Sequence, residues 1–100
     1  MKAIHRVELT NKIWECNHIN LNINQKTVLL ALAWHSEGKD ESIPISIGKL
    51  SKLTHIGEQA VDRNLRQLIT DGYIKRTKPH TANDPAEYVF VESRLKLCGK

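Results

Sequence analysis

The spacing of apolar residues between positions 46 and 71 predicts two short helices that share one buried side. Apolar residues first recur at helical intervals, at Leu50, Leu53 and Ile56. A short polar break follows, and the same period then resumes in a second predicted helix from Glu58 to Asp71. Its expected buried positions are Val61, Leu65, Leu68 and Ile69.

The residues at the ends of these two helices support the same boundaries. Ser46 is a favourable N-cap for a first helix that runs roughly from Ile47 to Leu53. Gly72 is expected to end the second helix, because glycine adopts the left-handed conformation that a helix end often requires. A helix, a tight turn, a longer helix and an extended run therefore follow one another.

The segment after Gly72 predicts an antiparallel hairpin. Residues 73–78 alternate, residues 79–85 are rich in turn formers, and residues 87–92 form a second run of strand-forming side chains. Residues 43–45 predict one more short strand. Pro44 restricts that strand to an edge or a strand end.

The helix expected at residues 24–37 is apolar nearly all round from Val28 to Trp34, and it should be the most buried element. Asn24 is the expected N-cap, and Ile23 with Val28 matches a hydrophobic staple around that cap. Gly38 is expected to end the helix, before an exposed polar loop.

The lead-in, residues 1–23, is less regular. Residues 1–9 alternate loosely and predict an extended segment on the domain edge. Thr10 or Asn11 could cap a short helix in which Trp14 anchors the lead-in to the core. The asparagine-rich stretch 17–24 predicts a loop.

This arrangement resembles the winged helix-turn-helix family of DNA-binding domains. The residues that match the family pattern outright are Leu50, Thr54, Val61, Leu65, Leu68, Gly72, Tyr73 and Ile74. His55 stands where the turn usually has glycine, and Gly57 stands where the second helix usually has a serine cap. The resemblance implies one mainly α-helical domain over residues 1–100, with three to four helices, a small antiparallel β-wing at 73–92 and a basic tail at 94–100.

Composition favours a soluble, cytoplasmic protein. The 100 residues are 40% hydrophobic and 26% charged, which is ordinary for a globular chain. No run approaches the roughly 20 apolar residues of a membrane span, so no membrane partner is expected. The N-terminus lacks the apolar stretch of a signal peptide. Cys16 and Cys98 are expected to be free thiols.

The net charge of +4 is concentrated in one third of the chain. Between Lys49 and His80 lie seven lysines and arginines and only three acids. A basic segment that coincides with a helix-turn-helix indicates a surface that binds phosphate, and hence double-stranded DNA as the partner.

The outer side of the second helix supplies candidate base-reading residues, because the N-terminal half of such a helix enters the major groove. These candidates are Glu58, Gln59, Asp62, Arg63 and Arg66. The candidates for contacts to the DNA backbone are Lys49, Lys52, His55, Lys75, Arg76, Lys78 and His80. Glutamine can pair with adenine, and arginine with guanine or phosphate.

The acids Glu58 and Asp62 leave an alternative open. A carboxylate on this face repels phosphate, but it can accept a hydrogen bond from cytosine N4. These two residues therefore suit either selective base reading or a winged helix that binds a protein instead of DNA.

Catalysis, cofactors and metals are not expected. The five histidines are scattered, and the chain has no glycine-rich phosphate loop or hydrolase motif. Cys16 and His18 offer two clustered ligands where structural zinc needs four. We therefore predict a protein that is not an enzyme.

Residues 7–92 also resemble, more loosely, the N-terminal DNA-binding domain of bacteriophage replication protein O and related mobile-element proteins. The similar features are the tryptophan in the lead-in, the apolar helix from Val28, the entry at Ile45 and the exit from Leu65 to Ile74. This resemblance implies recognition of a replication origin and contact with replication machinery, while a small transcriptional regulator, working with transcription machinery, is the other interpretation. Many such domains act as homodimers on two half-sites.

Overall fold

The computed structural model describes residues 2–15, 21–36 and 42–91, with side chains from Val7 onward. Within these ranges the chain forms four helices and three strands. In chain order they are α1 (Lys2–Glu15), α2 (Ile23–Trp34), β1 (Ile43–Pro44), α3 (Ile47–Thr54), α4 (Glu58–Thr70), β2 (Ile74–Lys78) and β3 (Glu87–Phe90). The predicted class, mainly α with a small antiparallel wing, is confirmed. Gly38 with its loop, the tail at 94–100, Cys16 and Cys98 lie outside the described residues.

The three strands form one antiparallel sheet in the order β1-β3-β2. Tyr88 of β3 pairs with Ile43 on one side and with Arg76 on the other. Pro44 lies on an edge strand, as predicted, where its missing N–H interrupts no inner ladder. β3 ends at Phe90, two residues earlier than predicted, and Val91 continues the chain by donating to the carbonyl of Tyr73 at 2.9 Å.

The core lies between α2, which packs on α1, α3 and α4, and the sheet, which contacts α4 through β2. Its buried apolar residues are Leu9, Ile13, Val28, Leu29, Leu32, Ala33, Ile43, Ile45, Leu50, Val61, Leu65, Leu68, Tyr73, Ile74, Ala86, Tyr88 and Phe90. Burying one such leucine or isoleucine contributes about 1.5–3 kcal/mol. Of the positions expected on the buried side of α3 and α4, Leu50, Val61, Leu65 and Leu68 are in the core, Ile56 and Ile69 are partly buried, and Leu53 is 44% exposed.

The extended lead-in was a wrong prediction, because residues 2–15 form the helix α1. Leu9 and Ile13 are four residues apart and both fully buried, so they form one helical face against α2. Trp14 is 58% exposed and is not a core anchor. Lys26 instead donates from Nζ to the Trp14 carbonyl at 3.0 Å and lies 5.8 Å from the centroid of its ring.

The N-cap of α2 is Asn22, and the prediction of Asn24 was wrong. The Asn22 side chain accepts from the Gln25 backbone N–H at 2.9 Å, and the Gln25 side chain accepts from the Asn22 N–H at 2.9 Å. This capping box satisfies two backbone donors at once, which explains why the helix begins here. Ile23 is 69% exposed, so the predicted staple does not form.

Candidate nucleic-acid interface

The turn between α3 and α4 is held by side-chain hydrogen bonds within the motif. Thr54 Oγ1 donates to the Leu50 carbonyl at 2.7 Å and accepts from the Ile56 N–H at 3.3 Å. Ser51 Oγ donates to the Ile56 carbonyl at 2.6 Å. These contacts fix the orientation of α4 relative to α3.

The two residues of this turn that depart from the family pattern are His55 and Gly57. His55 ends α3 in the left-handed conformation, with φ 59° and ψ 29°, and its N–H donates to the Ser51 carbonyl. Gly57 is the N-cap of α4 and makes no side-chain cap bond. Ser46 caps α3, as predicted, by accepting from the Lys49 N–H at 3.0 Å. The motif therefore keeps its geometry in spite of both departures from the family pattern.

One side of α4 faces the core and the opposite side is polar. Val61, Leu65 and Leu68 are buried, as predicted. The opposite side forms a shallow groove, which we call the α4 groove, lined by Gln59, Asp62, Arg63, Arg66, Gln67 and Thr70. Arg66 Nε lies 3.0 Å from Asp62 Oδ2 in an ion pair on the surface.

A second concavity lies between α4 and the wing, and we call it the wing cleft. Its polar wall on α4 consists of Glu58, Gln59 and Asp62, and its wall on the wing includes Arg76 and His80. The remaining lining comes from the loop before α3, the first residues of α3, and the sheet: Ile45, Ser46, Ile47, Gly48, Ala86 and Tyr88. The predicted base-reading residues are thus divided, with Arg63 and Arg66 in the α4 groove alone and Glu58 in the wing cleft alone.

The cations of the wing occupy three different environments. The Arg76 guanidinium lies 5.6 Å from the centroid of the Tyr88 ring. Lys75 pairs with Val89 and points to the opposite face of the sheet, because neighbouring residues of a strand alternate in direction. Lys78 Nζ lies 3.9 Å from both Asp84 and Glu87, which offset its charge. The structure therefore does not bring these three predicted backbone contacts together.

The other predicted backbone contacts lie on α3 and the wing tip. Lys49 and His80 line one hollow with Ser46, between the start of α3 and the wing tip. Lys52 and His55 are exposed on α3 and at its C-terminal end. Their roles toward DNA stay predictions.

Two residues of these surfaces were missed. Thr70 lies one turn beyond Arg66 in the α4 groove, and extending the same helical period would have found it. Tyr88 supports Arg76 from a strand that is distant in sequence, and local patterns carry no signal for that contact.

Neither surface contains a group of ligands suited to a metal ion. Among the residues that the structure describes, no cluster of three or more histidine, cysteine, aspartate or glutamate side chains is arranged to hold one. In the same ranges, every helix is too short or too polar to cross a membrane.

Comparison with known proteins identifies the central part of the chain. A family model described as a helix-turn-helix domain matches residues 20–74, which extend from just before α2 to the first residue of β2. No curated protein and no solved structure matches the chain. The resemblance to replication protein O therefore stays a prediction. Because the match covers more than half of the sequence, this protein belongs to the helix-turn-helix domain family.

Proposed function

We propose that this protein binds double-stranded DNA selectively, with α4 in the major groove and the wing beside it. The α4 groove is the observation that carries the proposal: it presents two arginines and two glutamines on the side of the helix opposite its buried residues. Amide and guanidinium groups are the side chains that best read adenine and guanine edges. Membership of a helix-turn-helix family, for which DNA binding is the characteristic activity, supports this function over an enzymatic one.

We assign different roles toward DNA to the residues of the site. Gln59 and Arg63 are the principal base readers, since both line the α4 groove and, among the described residues, Arg63 is not paired with an acid. Arg66 forms an ion pair with Asp62, so it contributes less to base reading than Arg63 does. Lys49, Lys52, His55 and His80 would contact phosphates on either side of α4. Such contacts set register and orientation without reading sequence.

The direct test is a titration of duplex DNA at several salt concentrations. Several phosphate contacts predict that the logarithm of affinity falls linearly with the logarithm of salt, at a slope of about −0.9 per contact. The proposal would be wrong if the protein bound no duplex at about 50 mM salt.

Selection from a random duplex pool would then define the biological role. A palindromic site would indicate a homodimeric transcriptional regulator, because a two-fold protein reads two inverted half-sites. Iterated direct repeats would indicate an origin-recognition domain that recruits replication machinery.

A second candidate function is a winged helix that binds protein. The observation favouring it is the exposure of large apolar side chains on α1 and α2: Trp14, Ile23 and Trp34 are 58%, 69% and 65% exposed. Sedimentation of the protein alone, and then with duplex, distinguishes self-association from DNA binding.

A further inference from the structure

The wing cleft places the positive side chain of Arg76 on one wall and the negative side chains of Glu58 and Asp62 on the facing wall. Arg76 comes from β2, and Glu58 is the first residue of α4. Between these walls lies a lining that includes the buried side chains of Ile45, Ala86 and Tyr88. A ligand in this cleft would therefore meet donors on one side and an acceptor on the other.

Arg76 is held in position by its neighbour on β3. Tyr88 is directly opposite Arg76 in the sheet, is 1% exposed, and also pairs with Ile43 on its other side. The guanidinium lies over this fixed ring. A guanidinium that lies over a ring face still has N–H groups at its edge, which can donate to a planar pair of acceptors.

Glu58 lies on the opposite wall and is exposed. A Cβ built on Gly48 would lie 3.9 Å from Glu58 Oε2, so the carboxylate is beside the first turn of α3. This position, near the N-termini of both α3 and α4, favours a negative charge. Within the described part of the chain, Glu58 forms no ion pair, whereas Asp62 is paired with Arg66.

The charge of the cleft favours a base pair over a phosphate. A phosphate that approached Arg76 here would also approach the carboxylates of Glu58 and Asp62, which repel it. A base pair is neutral and offers both acceptors and donors. In the major groove, guanine presents O6 and N7 as acceptors, and its partner cytosine presents the N4 amino group as a donor.

We propose that the wing cleft reads one C·G base pair, with Arg76 donating to guanine O6 and N7 and Glu58 accepting from cytosine N4. Arg76 is then a specificity-determining residue, and not the backbone contact that the sequence predicted. This inference rests on the proposed function, and it adds a second reading element beside the α4 groove.

The test compares selected sites for the wild-type protein and for Arg76→Ala. The wild type is expected to fix one C·G pair at the edge of the site, with a preference of about 10- to 100-fold over A·T at that position. Arg76→Ala and Glu58→Ala should each lose that preference while selection at the other positions is retained. Arg76→Lys keeps the positive charge but lacks the planar pair of donors. It should also lose the preference, because the preference depends on the two parallel hydrogen bonds of the guanidinium.

Lys75→Ala is the matched control, because it removes the same charge from the same strand on the opposite face of the sheet. It should leave the preference at the C·G position unchanged. Circular dichroism of each variant confirms that the fold is retained.

Two results would overturn the inference. Arg76→Ala could weaken all sequences alike and flatten the salt slope by about 0.9, which would make Arg76 a phosphate contact. It could also leave every preference unchanged. Both differ from failure of the proposed function itself, in which the wild type would select no sequence.

Discussion

The helices α2 and α4 have similar lengths but distribute their side chains in opposite ways. α2 is apolar on its buried side and also carries Ile23 and Trp34 on its exposed side. α4 is sharply divided, with a narrow buried stripe and a polar groove opposite. The difference separates two tasks: the buried side of α2 contributes to stability, while α4 supports the core with one side and presents the proposed recognition residues on the other.

The largest effect is expected from Leu32→Ala on the buried side of α2. Leu32 is fully buried at the centre of the core, so its truncation should lower the free energy of unfolding by about 2–5 kcal/mol. Chemical denaturation measures this loss. Leu30→Ala is the control, because Leu30 is only partly buried on the same helix. Equal losses at both positions would contradict the division of α2 into a core side and an outer side.

Arg63→Ala tests the polar side of α4. The substitution should weaken binding of the selected DNA site by about 1–3 kcal/mol, because the proposed bidentate contact to a base would be lost. It should change the free energy of unfolding by less than about 0.5 kcal/mol, since Arg63 is exposed. Titration of the preferred and one mismatched duplex measures the first quantity, and thermal unfolding the second. A large loss of stability would show that α4 does not separate its two tasks.

Asn22→Ala tests the start of α2. Loss of the capping box should cost about 1 kcal/mol of stability. Asn24→Ala is the matched control, since Asn24 is an exposed asparagine two residues further along and should change stability little. If Asn24→Ala were the more costly change, the helix would begin where the sequence predicted.

The smallest effect is expected from His55→Gly, which should raise the free energy of unfolding instead of lowering it. His55 has a positive φ, which costs an L-residue energy that glycine avoids, although glycine loses more entropy on folding. The balance predicts a gain of about 0.5 kcal/mol in the free energy of unfolding. Thr54→Gly, in the last turn of α3, should instead destabilise the protein, because it removes the hydrogen bonds of Thr54.

The parts that sequence predicted well are those whose signals are local. α3 and α4 combine a clear 3.6-residue period with Ser46 at the start and Gly72 at the end, and all of these features agree. The prediction for the lead-in was wrong because Val7 and Leu9 suggested the alternation of a strand. The pair that indicates the helix is Leu9 with Ile13, which are four residues apart and both buried. Asn22 was missed because a run of asparagines offers several possible caps. Only Asn22 has Gln25 three residues later, whose side chain accepts from the N–H of the cap.

The candidate site was also only partly predictable, because some of its residues are positioned by strand pairing and not by a local pattern. Gln59, Arg63 and Arg66 follow from the face of α4 opposite its buried residues, and that face can be read from the period. The division between Arg76, Lys75 and Lys78 depends on strand register and on an irregularity between Arg76 and Lys78. Those features are set by pairing with β3, so no pattern within β2 alone could reveal them.

The junction between α4 and β2 is only a few residues long and is fixed at both ends. The Gly72 N–H donates to the Ile69 carbonyl at 3.1 Å and the Tyr73 N–H donates to the Leu68 carbonyl at 3.0 Å, so the helix ends in a Schellman motif directly before the wing. β1 pairs with β3 at the other edge of the sheet from β2. We infer that this pairing and the short junction together limit changes in the width of the wing cleft. A preorganised protein loses little conformational freedom on association, so in the proposed complex any adjustment of shape would fall to the duplex. Base pairs that no side chain contacts would then influence affinity through their stiffness, and flexible pyrimidine–purine steps should be enriched between the contacted positions.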